Sequence, residues 1–173
     1  MGQGESGSFS GLTPKEQKRF NRFRGMVERF PRIRRVMGGG QRAAFRLTRG
    51  RVGGTLQGVP VGLLTTTGRR SGQKRTVPIG YTDDGSRFLV AASNFGLDRP
   101  PAWLLNLRAD PNAAFRTRAG VERVVARELT ETERTELWQR LLEDHPVWGA
   151  AQASTQRHIA LVALDRSQHQ SSD

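Results

Sequence analysis

The sequence contains no cysteine. Disulfide staples and thiolate chemistry are therefore excluded, and a reducing cytosol is the expected setting. Tyrosine is almost as scarce: Tyr81 is the only one. No apolar run approaches the roughly 20 residues that a membrane-spanning helix needs. The opening stretch MGQGESGSFSG has no basic segment followed by an apolar one, so no secretory signal is expected. His145, His158 and His169 lack the short spacing used by metal-binding histidines, and no metal is expected. No GxGxxG follows a strand, and neither a P-loop nor a nucleophile elbow occurs. Rossmann, P-loop and serine-hydrolase readings are poor on that ground.

Acidic residues are also few, with 16 against 28 basic ones and a net charge of +12. The basic residues are mostly arginine, with only three lysines, and residues 1–56 hold 13 basic and three acidic residues. Such a balance favours anionic partners: nucleic acid, anionic lipid, or a phosphorylated or polycarboxylate ligand. A GC-rich genome would enrich arginine in the same way. The length, 173 residues, suits one domain with its own core.

Residues 1–12 are Gly/Ser-rich and are expected to be disordered. Thr13-Pro14-Lys15-Glu16 reads as a capped helix start. Phe20, Phe23, Val27 and Phe30 follow at spacings of three and four and form an apolar stripe flanked by arginines. Pro31 is expected to end or kink this helix, and Gly38-Gly39-Gly40 to break the chain. Residues 13–56 thus form a basic amphipathic helix and linker. The stripe of residues 14–37 suits either a cover on one end of the body or a peripheral contact with anionic lipid.

From Val59 the pattern changes to strands. The expected strands are Val59–Thr67, Thr76–Thr82, Arg87–Ser93, Ala113–Thr117, Val121–Glu128 and Ile159–Leu164. Asp84-Gly85 makes a hairpin turn. A short apolar helix runs through Trp103, Leu104 and Leu107, and Thr130 and Glu133 cap another that carries Leu137, Trp138, Leu141 and Leu142. About six strands joined mostly by short turns favour an antiparallel sheet, and closure into a barrel would remove its edges. The fold class is therefore mostly β with helices. Residues 166–173 read as a disordered tail.

Two stretches could carry chemistry. The first is TTTGRRSGQKRTVP, two strands around a tight basic loop. Gly68 and Gly72 let backbone N–H groups turn toward a ligand. Arg69, Arg70, Lys74 and Arg75 can neutralise a phosphate, and Ser71 adds a hydroxyl. The same loop could equally be a solvated turn. The second stretch is Ala91-Ala92-Ser93-Asn94-Phe95-Gly96, followed by Pro101-Ala102-Trp103. Small residues at a strand end let a flat ring approach the backbone, and Trp103 could cover that ring; a buried core Trp is the plainer reading.

TTTGRRSGQKRTVP, AASNFG and PAWLLNLRADP, in this order, resemble the deazaflavin-dependent nitroreductase family. The resemblance spans roughly Val59 to Leu164. It implies a split β-barrel of the FMN-binding-like type over residues 57–165, and hydride transfer from reduced coenzyme F420 to a nitro group, quinone, enone or imine. It assigns Arg69, Arg70, Ser71, Gly72, Arg75 and Pro78 to the coenzyme's phosphate and acidic tail. It assigns Ala92, Ser93, Asn94, Phe95, Gly96 and Trp103 to the ring, with bulky Phe95 narrowing the pocket. By the same analogy the protein pairs as a homodimer. One departure stands out. The family carries tyrosines where this chain has His145, Trp148 and Ala151, while Pro146 and Gln152 match its pattern. Trp148, Ala151 and Phe95 would then line an apolar substrate pocket with His145 as a proton donor, and water as the other source. A pocket without phenols predicts an apolar C=C or C=N substrate in preference to nitro or quinone oxygens. Three rivals remain: FMN on the same fold, an F420 carrier without turnover, and a basic nucleic-acid-binding module. Against the last, no helix-turn-helix or RNP-type aromatic pair is present, and no nucleic-acid partner is expected.

Overall fold

A computed structural model describes residues 12–30, 39–40, 42–45, 47–48, 54–56 and 59–167. Helix α1 (Pro14–Arg29) starts where expected. Thr13 accepts from the Glu16 backbone N–H, while the Glu16 carboxylate accepts from Thr13. The helix ends before Pro31, and Phe20 and Val27 are its buried positions. Gly39 and Gly40, expected as a break, are instead helical. Pro31, Gly38, most of the N-terminal stretch and the last six residues lie outside the described residues.

The strands are β1 (Thr55–Leu56), β2 (Val59–Thr67), β3 (Lys74–Gly80), β4 (Thr82–Asp83), β5 (Arg87–Ala91), β6 (Asn112–Arg116), β7 (Val121–Glu128) and β8 (Leu161–Arg166). Between them come α2 (Ala102–Ala109), α3 (Glu131–Asp144) and α4 (Pro146–Ala153). All pairings are antiparallel. The order is β1-β2-β6-β7-β8-β5-β4, with β3 on the other side of β2. The outer strands β3 and β4 are neighbours in sequence, joined through Tyr81. A sheet whose two margins are consecutive strands must curl back on itself, so the strands enclose an open barrel.

Its interior is filled by Leu64, Phe88, Val90, Leu104, Phe115, Val124, Val162 and Leu164. Tyr81 stands edge-on to Phe88 and Phe115, with ring centroids 5.5 and 5.2 Å apart. The barrel needs glycine at position 62, because a Cβ there would come within 2.3 Å of the Phe115 ring. The final strand lies two residues later than its apolar pattern suggests. Arg166 belongs to it and is held by Asp83 and Glu122, each at 2.8 Å. Helix α4 is an addition to the expected elements. Pro146, which stops α3, is also the first residue of α4.

Candidate functional site

The β2–β3 hairpin forms the basic loop. The Gly68 N–H donates to the Gln73 carbonyl at 2.8 Å, and the Gly68 carbonyl accepts from Ser71 (3.1 Å) and Gly72 (2.8 Å). Gly72 has φ +65°, a left-handed conformation that glycine adopts without strain. A Cβ on Gly68 would sit 3.0 Å from Ser71 Oγ, so a larger residue would spread the loop. Asn106 on α2 ties the loop down. Its Oδ1 accepts from the Arg69 backbone N–H at 3.2 Å, and its Nδ2 donates to Thr66 Oγ1 at 3.0 Å. Both side chains are buried.

Beside this hairpin lies an open cleft of about 620 Å³. Arg69, Arg70, Ser71, Lys74 and Arg75 line one part of it, with Thr66, Thr76, Ala102, Trp103, Asn106 and Arg42 around the rest. Among the described residues no carboxylate lines it. Lys74 Nζ donates to Thr67 Oγ1 at 3.0 Å and Arg42 Nη1 to the Thr76 carbonyl at 2.9 Å. The guanidinium groups of Arg69, Arg70 and Arg75 have no hydrogen-bond or ion-pair partner among the described residues, and all three residues are exposed. Lys74 is partly balanced by Asp110, but the three guanidinium groups gathered here create a positive potential suited to phosphate or carboxylate. Trp103 lines the cleft while staying 7% exposed, so it belongs to the wall and the barrel core together.

The other expected residues lie elsewhere. Pro78 pairs with Leu63 within the sheet, and Gly72 shapes the loop without lining the cleft. Residues 92–96 do not line it either. They follow the end of β5 and include a single 3-10 turn, Asn94–Gly96. Phe95 sits at φ 59° and meets Phe23 of α1 edge-on at 5.4 Å. Arg24 Nε donates to the Gly96 carbonyl at 3.4 Å. A Cβ on Gly96 would come within 2.6 Å of the Ala151 carbonyl, so this glycine permits the close approach of α4. Arg157 fastens the same strand end, donating from Nη2 to the Ala92 (3.1 Å) and Ser93 (3.0 Å) carbonyls. Helix α1 therefore covers this end of the barrel through Phe20, Phe23 and Arg24.

His145 is 1% exposed and bridges α3 and α4. Its Nε2 shares a hydrogen bond of 2.7 Å with Thr82 Oγ1, its ring stacks on Trp148 at 4.0 Å, and its Nδ1 is buried with no hydrogen-bond partner among the described residues. Burial pushes its pKa below the ordinary value, against a smaller upward pull from Asp144. The structure does not bring His145 to the cleft. Trp148 packs with Leu89, Leu129 and Leu141, and Ala151 with Phe20, Ala150 and Ile159. Neither lines the cleft, so the missing phenols there do not set the cleft's polarity. Asn106, Thr66, Arg42 and Arg157 escaped the sequence reading. Asn106 lies inside the PAWLLNLRADP stretch and could have been found as the one amide of α2, set among Trp103, Leu104, Leu105 and Leu107. Arg42 and Arg157 act over long sequence separations and leave no local signal. Among the described residues no cluster of metal-binding side chains occurs, and no helix is long and apolar enough to cross a membrane.

The chain was compared with known proteins. A family model described as F420H(2)-dependent quinone reductase matches residues 40–166. An F420H(2)-dependent quinone reductase of Mycobacterium tuberculosis is 34% identical over 128 residues, covering 72% of this chain and 86% of that protein. The solved structure of an F420-H2 dependent reductase is 32% identical with a TM-score of 0.56, covering 61% of this chain and 94% of the other. A second structure, described as a domain-swapped dimer, is 27% identical with a TM-score of 0.58, covering 75% and 99%. The split-barrel fold and the deazaflavin resemblance both hold. Quinone, one of the expected acceptors, fits the description of the matching family. With a matched stretch that begins before the barrel and runs to the end of β8, this chain belongs to the F420H(2)-dependent quinone reductase family.

Proposed function

We propose that this protein transfers hydride from coenzyme F420H2 to a quinone, with the coenzyme's anionic end at the 68–75 hairpin. The observation that carries the reading is the set of three guanidinium groups, on Arg69, Arg70 and Arg75, that have no partner and no lining carboxylate among the described residues. The names of the relatives support both coenzyme and acceptor. The donor set fits a phosphate with carboxylates beyond it, since each planar guanidinium can grip two oxygens at once.

When bound, the coenzyme supplies the hydride, so no covalent protein group is required. The chain's residues bind and orient. Arg69, Arg70 and Arg75 neutralise the anionic end, with Ser71 as an added donor. Gly68 and Gly72 hold the loop tight, and Asn106 and Thr66 keep it fixed to α2. Trp103 offers a flat wall along which a ring can lie. The strand end at Ala92, Ser93, Asn94, Phe95 and Gly96 is assigned to the ring by resemblance, with α1 as its cover. Reacting atoms must come within roughly 3–3.5 Å, a positioning task for these walls. With His145 enclosed by Thr82 and Trp148, water in the open cleft is the proton source we assign.

The neighbour described as a domain-swapped dimer supports a homodimer here. A peripheral lipid contact is a second role for α1. Met26 is 36% and Phe30 50% exposed, beside the exposed Arg22 and Arg29. We assign the protein to the cytoplasm, with that contact as its route to an apolar quinone. FMN is the alternative ligand for the cleft. Fluorescence titration with F420 and with FMN at rising salt tests the reading. F420 should bind more tightly and weaken as salt screens the arginines. Equal or tighter FMN binding would refute the coenzyme assignment.

A further inference from the structure

Arg42 differs from the other cations of the cleft. It comes from a helical run, residues 42–45, that precedes the barrel in sequence. Its Nη1 is fastened to the Thr76 carbonyl of β3 at 2.9 Å. The adjacent residue, Arg75, belongs to the hairpin, so arginines from two separate elements line the one cleft. Phe45, three residues on, is fully buried, and Thr48 bonds back to the Ala44 carbonyl through N (3.0 Å) and Oγ1 (2.7 Å). The segment that bears Arg42 is therefore anchored at its apolar side, with the charge presented to the cleft. Among the described residues Arg42 has no ion-pair partner.

A neutral donor would serve the Thr76 carbonyl equally well. The positive charge adds only repulsion from Arg69, Arg70, Lys74 and Arg75 while the cleft is empty. A bound anion reverses the sign of that contribution. Filling the cleft should then tighten the hold of the segment on β3, and the tightening must act equally in the other direction.

We propose that Arg42 is a specificity-determining arm of the anion site. It grips the phosphate or carboxylate end of the ligand from the segment before the barrel, and a filled cleft pins residues 42–48 onto β3. The proposal rests on the coenzyme reading above. It is tested with Arg42→Ala and Arg42→Lys, each titrated with F420 and with the deazaflavin nucleoside that lacks phosphate and glutamates. Amide hydrogen exchange over residues 42–48 is followed with and without F420. Loss of one charge-assisted contact should weaken F420 binding about tenfold in Arg42→Ala. The nucleoside should bind both proteins alike, and Arg42→Lys should fall between. F420 should slow exchange over residues 42–48 in the unsubstituted protein and not in Arg42→Ala. Unchanged F420 binding in Arg42→Ala would overturn the proposal. So would an equal loss for F420 and the nucleoside, which marks a purely structural role. If the unsubstituted protein binds FMN and not F420, the coenzyme reading fails by itself. Arg42 is then judged by the same variants on FMN, where loss supports the arm and no loss overturns it.

Discussion

Replacing Asn106 by alanine tests whether the basic hairpin is held ready for its ligand. Asn106 makes two contacts: it accepts from the Arg69 N–H at 3.2 Å and donates to Thr66 Oγ1 at 3.0 Å. Thr66 is 1% exposed, so its hydroxyl loses a partner with no water to replace it. Each hydrogen bond contributes about 0.5–1.5 kcal/mol, and an orphaned buried hydroxyl costs about 1–3 kcal/mol. The Arg69 N–H lies beside the open cleft and can turn to solvent, so the larger share falls on Thr66. Asn106→Ala should therefore lower stability by about 2–3 kcal/mol in urea unfolding. Adding Thr66→Val removes the orphan and should restore about 1 kcal/mol, a coupling that a double-mutant cycle resolves. Coenzyme affinity should fall in both variants, because a loop freed from α2 must be ordered at the expense of binding. A stability change under about 0.5 kcal/mol, or full affinity in the single variant, would refute the tether.

Other expectations address separate parts of the molecule. Arg75→Ala should raise the coenzyme dissociation constant about tenfold while leaving unfolding within about 0.5 kcal/mol, since Arg75 has no hydrogen-bond or ion-pair partner among the described residues; slow turnover with normal binding would contradict its assignment. His145 is buried neutral, with its pKa below the ordinary 6.5. Its contribution to stability is present above the unfolded value of about 6.5 and is lost as pH falls toward the folded one. Melting temperature should therefore drop as pH falls below about 6.5 in the unsubstituted protein, and His145→Gln should flatten that decline; an unchanged slope would exclude His145 as its source. Gly62→Ala would place a Cβ 2.3 Å from the Phe115 ring and should cost about 1–3 kcal/mol by the same unfolding assay.

The parts of this fold that sequence reveals are those decided locally. Strands β2 and β7 have the expected bounds: Gly68 stops the β-branched run of β2, and Gly120 stands immediately before the first residue of β7. The two capping boxes read correctly for the same reason. The end of β8 does not, because Asp165 and Arg166 look like tail residues. They are strand residues through pairing with β5 and β7 and through the acids around Arg166. Helix α4 is hidden by Pro146, which ends one helix and begins the next. The site divides in the same way. The hairpin cations lie within eight residues of chain, so a basic loop is legible. The placement of His145, Trp148 and Ala151 depends on how α4 packs against β5 and α1, contacts between distant parts of the chain that no local pattern encodes.

The central claim is hydride transfer from F420H2 to a quinone at the arginine cleft. The most direct measurement follows F420H2 oxidation with a panel of quinones, enones and nitroaromatics, in the unsubstituted protein and in a variant with Arg69, Arg70 and Arg75 all changed to alanine. Quinone-dependent oxidation should lead the panel in the unsubstituted protein. The variant should need far more coenzyme to reach a similar maximal rate. No oxidation above the protein-free rate with any quinone, or a variant that saturates at the same coenzyme concentration, would contradict the account.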